Sequence, residues 1–153
     1  MRLLKGAAVV GALGLMAWVN LAPAAEPIAT IDGETPGERL EVQELKLVSG
    51  GALTLRFTII NDSEKDSRVL GSIGSAEAWS ADGVYLVDVP GKKKYLVVRD
   101  TENHCVCSRE LPTLRPKSSA NLWAKFSAPP DSVQKIGVVV RHFIPMDDVP
   151  ISR

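Results

Sequence analysis

The stretch GVYLVDVPGKKKYLVVRDTENHCVC, residues 83–107, decides the fold. Val84, Tyr85, Leu86, Val87 and Val89 make a run that is almost wholly β-branched, aromatic or aliphatic, and Tyr95, Leu96, Val97 and Val98 repeat it. Runs this short and this rich in β-branched residues suit a pleated, half-buried strand rather than a helix. Between them Pro90 fixes one φ and Gly91 is free to take a positive one, so the chain is expected to reverse there. Lys92, Lys93 and Lys94 keep the reversal in water. They read as a solvated tip or edge that discourages strand addition, with an anion-binding patch as the other reading. Asp100, Thr101, Glu102 and Asn103 form a second polar reversal, which leads into His104, Cys105, Val106, Cys107 and Ser108.

The same period-two pattern recurs on both sides of this stretch. Leu53, Leu55, Phe57 and Ile59 alternate with Thr54, Arg56 and Thr58, the pattern of a strand with one buried and one wet face. Upstream, Leu40 and Val42 alternate, and Leu45 and Leu47 continue in the opposite phase. A bulge near Gln43 and Glu44 is therefore expected. Downstream, Ala120, Leu122, Ala124 and Phe126 point one way and Asn121, Trp123 and Lys125 the other, which places Trp123 on the non-core face. Ile136, Val138 and Val140 make the last strong strand, and residues 148–151 are expected to add an edge strand. The segment 71–82 is small and polar around Trp79, which is expected to plug a core edge. Residues 68–70 read as a short strand at best, and Pro112 and Pro116 exclude a central strand over 111–116. These short strands, with turn signals between them and no helical periodicity, predict an all-β, antiparallel sandwich of about seven strands over residues 39–153.

The N-terminus reads differently. Arg2 and Lys5 precede an apolar stretch over residues 7–21, and Ala22, Pro23 and Ala24 supply small residues before a cut, the layout of a secretory signal peptide over residues 1–24. Membrane association is expected only if that segment is kept. Residues 25–38, rich in Pro, Gly and acidic side chains, read as a flexible arm or a loose first strand. Removing Arg2 and Lys5 takes two from the 18 basic residues and none from the 18 acidic ones, so the mature domain is near −2. That balance gives no electrostatic case for nucleic acid or anionic lipid.

Cys105 and Cys107 are the only cysteines. In an oxidising compartment two thiols so close are expected to join, provided the chain bends between them. Such a tight ring constrains the unfolded chain little, and it can be structural or redox-active. A third reading is a soft metal site for copper or zinc, with His104, Cys105 and Cys107 as one group of ligands and His142 and Met146 as another. No cofactor is expected on the structural reading. Asn61, Asp62 and Ser63 match a glycosylation acceptor by pattern alone. No G-x-S-x-G is present, neither histidine sits in an activating context, and the carboxylates are scattered, so no catalytic residues are assigned.

From Leu53 onward one combination of motifs recurs. It comprises Tyr85-Leu86-Val87-Asp88, Lys93-Lys94-Tyr95, Val98-Arg99-Asp100, Cys105-Val106-Cys107-Ser108, Asn121-Leu122-Trp123-Ala124-Lys125-Phe126, Ala128-Pro129-Pro130 and Asp148-Val149-Pro150-Ile151. The combination resembles a group of exported bacterial proteins with an immunoglobulin-like, telokin-like sandwich, including small secreted proteins of actinobacteria. It is also similar to the domain preceding the peptidoglycan-binding module in some outer-membrane-protein-A-like proteins. The resemblance implies an immunoglobulin-like fold and a periplasmic or secreted address, and it implies no catalytic residues. The resulting expectation is a non-enzymatic envelope module whose partner is an envelope protein or another extracytoplasmic ligand. Trp123, Tyr95 and the loops around Cys105 and Phe143 would form its contact surface. The alternative is a metal-binding or thiol-redox protein built on residues 104–107.

Overall fold

The computed structural model describes residues 25–153, and the signal-peptide expectation for residues 1–24 lies outside them. Its strands are β1 (Ala29–Asp32), β2 (Glu38–Val48), β3 (Ala52–Asn61), β4 (Tyr85–Asp88), β5 (Lys93–Leu96), β6 (Ser118–Ser127), β7 (Lys135–Val139) and β8 (Met146–Pro150). They form two antiparallel sheets, in the orders β1-β2-β3-β6 and β5-β4-β7-β8. No α-helix occurs among the described residues.

The sheets are held by the alternation read in the sequence. Leu53, Leu55 and Phe57 of β3 point inward and stand opposite Phe126, Ala124 and Leu122 of β6 in register. They meet Leu86, Ile136, Val138 and Val149 from the other sheet in one buried cluster. Full burial of each large apolar side chain contributes about 2 kcal/mol. The expected bulge is present: pairing of β2 with β3 slips between Val42 and Glu44, leaving Gln43 without an opposite residue.

The outer sides of the long strands β2 and β6 are both covered, which leaves neither as an open ladder for unwanted pairing. β1 lines β2 as far as Val42, and past the bulge the C-terminal segment takes over. There the Leu47 N–H donates to the Ser152 carbonyl and the Ser152 N–H to that of Leu45, both at 2.8 Å. Along β6, residues 97–107 fold back as a hairpin. The Val98 N–H donates to the Lys125 carbonyl at 2.9 Å, and the Lys125 N–H donates to Val106 at 3.0 Å.

Several expectations need correction. The second apolar run of the opening stretch is split between sheets: β5 ends at Leu96, and Val97 already bridges Phe126 of the first sheet. Within the turn it is Lys92, not Gly91, that takes the positive φ, of 51°. Gly91 is required for close approach instead, because a Cβ there would lie 2.0 Å from Asp88 Oδ2. Of the two readings of residues 25–38, the first strand is the one present, since β1 pairs with β2 within them. Residues Val69–Gly71 form a single 3₁₀ turn rather than a strand, and the strands among the described residues number eight, close to the expected seven or so. Asn61 cannot serve as a glycan acceptor. Its side chain is buried, with Nδ2 at 2.8 Å from the Lys65 carbonyl and 3.0 Å from that of Arg115.

The polar segment 71–82 is pinned to the 97–107 hairpin by one carboxylate. Asp82, whose side chain is 0% exposed, accepts from the Ser75 N–H at 2.7 Å, the Ala76 N–H at 3.0 Å and the Ser80 hydroxyl at 2.9 Å. Arg99 Nη2 completes the set at 2.8 Å. Trp79 packs partly buried against the core with its ring over Gly71, and Arg68 lies 5.9 Å from its ring centroid.

Candidate functional site

Of the expected contact residues, the structure leaves Trp123 at the surface, half-buries Tyr95 and buries Phe143. Phe143 is 5% exposed, because its ring packs over Gly33, where the absent side chain leaves room. Tyr95 is half-buried against the core and its hydroxyl has no hydrogen-bond partner. Burial, and after it the nearby Asp88 carboxylate, pushes its phenol above the ordinary range. Trp123 is 36% exposed on the outer face of the β1-β2-β3-β6 sheet.

The surroundings of Trp123 follow from strand register. Glu44 of β2 stands opposite Arg56 of β3, and Arg56 stands opposite Trp123 of β6, forming one row across the sheet. The next row is Lys46, Thr54 and Lys125, and the row on the other side is Glu41, Thr58 and Asn121. The bulge at Gln43 makes this possible. It resets the side-chain phase of β2, so that Glu41 before it and Glu44 and Lys46 after it share the outer face.

Two hollows flank the central row. The larger, about 580 Å³, is lined by Glu44, Lys46, Thr54, Arg56, Trp123 and Lys125 together with Val48 and Ser49. The smaller, about 260 Å³, includes Gln43, Thr58 and Asn121, and shares Arg56 and Trp123 with the first. Arg56 and Trp123 thus form a ridge between two open depressions, the larger of them within the size range of small-ligand sites.

Polarity on this face is incompletely used. Glu44 is approached by Arg56 Nε at 3.5 Å and Lys46 Nζ at 3.9 Å. Both pairs are exposed and loose, so each contributes at most about 1 kcal/mol. No carboxylate lies within 4.0 Å of the Lys125 ammonium among the described residues. Thr54 is 7% exposed, and its hydroxyl has no partner, an arrangement that costs about 1–3 kcal/mol when the group is fully desolvated. In the neighbouring row the Thr58 hydroxyl donates to Asn121 Oδ1 at 2.8 Å. Behind the ridge, the backbone of Trp123 is clamped to Ser108: Trp123 N–H donates to the Ser108 hydroxyl and Ser108 N–H to the Trp123 carbonyl, both at 2.9 Å. The indole therefore projects from a strand paired on both sides.

The five residues considered as soft metal ligands are not brought together as a set. Cys105 and Cys107 are buried and their sulfurs are joined, with Cα atoms 5.3 Å apart, so neither offers a thiolate. The chain bends at Val106 between them, where Cys105 bridges Arg99 within the hairpin and Cys107 bridges Ala124 of β6. His104 lies 3.8 Å from Asp100 and 3.7 Å from Glu102, His142 lies 3.3 Å from Glu34, and Met146 is buried in β8. Asp100, Glu102 and His104 do cluster. The Asp100 carboxylate, however, already accepts from the His104 and Glu102 backbone N–H groups at 2.9 Å, which hold it below the usual carboxylate range. That is the chemistry of a turn stop.

Sequence reasoning placed Trp123 on the outer face but missed Glu44, Lys46, Thr54, Arg56 and Lys125 as its neighbours. Alternation marks each as outward, whereas only register between distant strands groups them.

No family model matches the chain, and no curated protein matches it. A crystal structure of a conserved hypothetical protein from Bacillus anthracis is similar over 79% of this chain and 96% of that one, with 12% sequence identity and a TM-score of 0.44.

Proposed function

We propose that this chain is an exported, non-enzymatic binding module of immunoglobulin-like build, which holds an envelope or extracellular partner on the outer face of β2, β3 and β6. The observation that carries the reading is Trp123, a large aromatic left at the surface between two polar hollows on a rigid sheet. Exposed aromatics in such settings are typical anchors of recognition. Strand order supports the immunoglobulin-like part. The sequence β5-β4-β7-β8 opposes β2-β3-β6, residues 97–107 occupy the place of a fourth strand beside β6, and Lys46 and Ser152 make a parallel bridge between the first long strand and the C-terminal segment. The joined cysteines and the leader-like residues 1–24 support an oxidising, extracytoplasmic address.

Cell fractionation tests the reading. The expected result is a processed, thiol-free protein outside the cytoplasm, retained by washed envelopes or extracellular matrix. Trp123→Ala should be released while remaining folded. A full-length reduced protein in the cytosol overturns the export reading, and unchanged retention of the variant overturns the choice of surface.

A further inference from the structure

The ridge and hollows narrow the chemistry of the occupant, if this face is the contact surface proposed above. We infer that it binds an acidic polysaccharide, a run of pyranose rings bearing carboxylates, laid across Trp123.

Four observations converge on that class. The indole is partly exposed on a strand whose backbone is paired to Ser108, and a flat ring of this kind accepts the C–H face of a pyranose as an apolar stacking partner. The two hollows share Arg56 and Trp123, so adjoining units of one linear chain can occupy them in succession. Charge selects among sugars: the larger hollow has three cations, Lys46, Arg56 and Lys125, against the single carboxylate of Glu44. This local excess of +2 stands out on a domain that is itself weakly acidic, and it favours an anionic ligand. Finally, the Thr54 hydroxyl lies in the floor between Lys46 and Lys125 in register, nine-tenths buried and without a partner. An oxygen of the ligand, or a water held by it, seated between the two lysines would satisfy that hydroxyl.

Other polyanions fit less well. A nucleic acid also stacks on aromatics, but it calls for a continuous basic track, and Glu44 interrupts the cations at the centre. Glu44 instead suits a ligand rich in hydroxyl donors. An acidic peptide would want an open strand edge or an apolar groove, and both edges of this sheet near Trp123 are already paired.

The test is a fluorescence and NMR titration of the purified protein with galacturonate oligomers, neutral cello-oligomers, polyglutamate and oligothymidylate. Saturable binding of the galacturonate oligomers is expected, weakening with salt, with shifts confined to β2, β3 and β6. Trp123→Ala should weaken it about tenfold, consistent with loss of one stacked ring. Thr54→Val should weaken it while leaving the fold intact or more stable, which a purely structural threonine would not do. Failure of galacturonate to bind, equal binding of polyglutamate, or tighter binding of oligothymidylate each overturns the inference. If galacturonate fails while envelope retention still depends on Trp123, the ligand class is wrong and the contact face stands. If galacturonate binds the Trp123→Ala variant equally well, both the face and the inference fall.

Discussion

Arg99 with Asp82 and Arg56 with Glu44 are the same chemical pair used in opposite ways. The first joins two loops at 2.8 Å around a carboxylate with no exposure and several hydrogen-bond donors aimed at it. The second lies at 3.5 Å on an open sheet face, with Glu44 shared loosely between Arg56 and Lys46. Removed from water, a carboxylate is tolerated only when its partners are complete, and a complete set leaves nothing to offer a ligand. Left half in water, the pair contributes little to stability and keeps its hydrogen-bonding capacity for something else. The contrast separates what holds this molecule together from what it can present.

The largest effect that could break this division is expected at Asp82. Replacing it with Ala strips the Ser75 and Ala76 N–H groups and Arg99 of their acceptor at once and unpins segment 71–82 from the 97–107 hairpin. A loss of about 3 kcal/mol is expected in urea unfolding. A loss below about 1 kcal/mol would mean that the loop is not held by this carboxylate.

The same group gives a pH signature. Burial pushes the Asp82 carboxyl upward, but the Ser75 and Ala76 N–H groups, the Ser80 hydroxyl and Arg99 together outweigh it, so its pKa is lowered in the folded state. A lowered folded pKa means that the unfolded chain takes up the proton first as pH falls. The contribution is therefore complete above about pH 4 and is lost as pH drops through the folded value. The difference in urea midpoint between wild type and Asp82→Asn should shrink over that acidic window and stay constant from pH 5 to 8. A difference that grows on acidification would reverse the assignment.

How much of each region can be read from the sequence follows from the range of the interactions that build it. β3 and β6 were legible because alternation is local, and the bulge at Gln43 was legible because a phase change within one strand is local too. The Asp82 knot left no trace, since a carboxylate that gathers donors from residues 75, 76, 80 and 99 has no periodic signature. Phe143 misled for a related reason. The loop around Phe143 reads as a contact surface from its local sequence, and the packing that buries the ring comes from Gly33, on the far side of the chain. The candidate site lies between these cases. Its side chains could each be placed outward, but the opposition of Arg56 to Trp123 rests on a pairing between strands with the whole β4–β5 hairpin between them.

A smaller effect belongs to the cysteines, which lie in the stable region but contribute modestly. The ring they close spans a sequence separation of 2, so in the chain-entropy account the bond withdraws about 1–2 kcal/mol of freedom from the unfolded state. Reduction at neutral pH should lower the unfolding free energy from urea titration by that amount and leave the far-ultraviolet spectrum unchanged. Complete unfolding on reduction would show that the hairpin, and not the sheets, governs stability, and would move it to the top of this ranking.

The smallest effect is expected where the binding argument is strongest. Trp123 has one face in water and its backbone bonds to Ser108 do not depend on the side chain, while Arg56 gives up only a loose surface ion pair. Arg56→Ala should therefore change unfolding free energy by less than about 0.5 kcal/mol. Trp123→Ala, which also loses the part of the ring lying on the sheet, should cost about 1–2 kcal/mol, still below the Asp82→Ala loss. Differential scanning calorimetry and urea titration of the two variants decide the matter. If Trp123→Ala costs as much as Asp82→Ala, the indole is a structural cover for the strands beneath it, and the line drawn between the holding and the presenting halves of the molecule disappears.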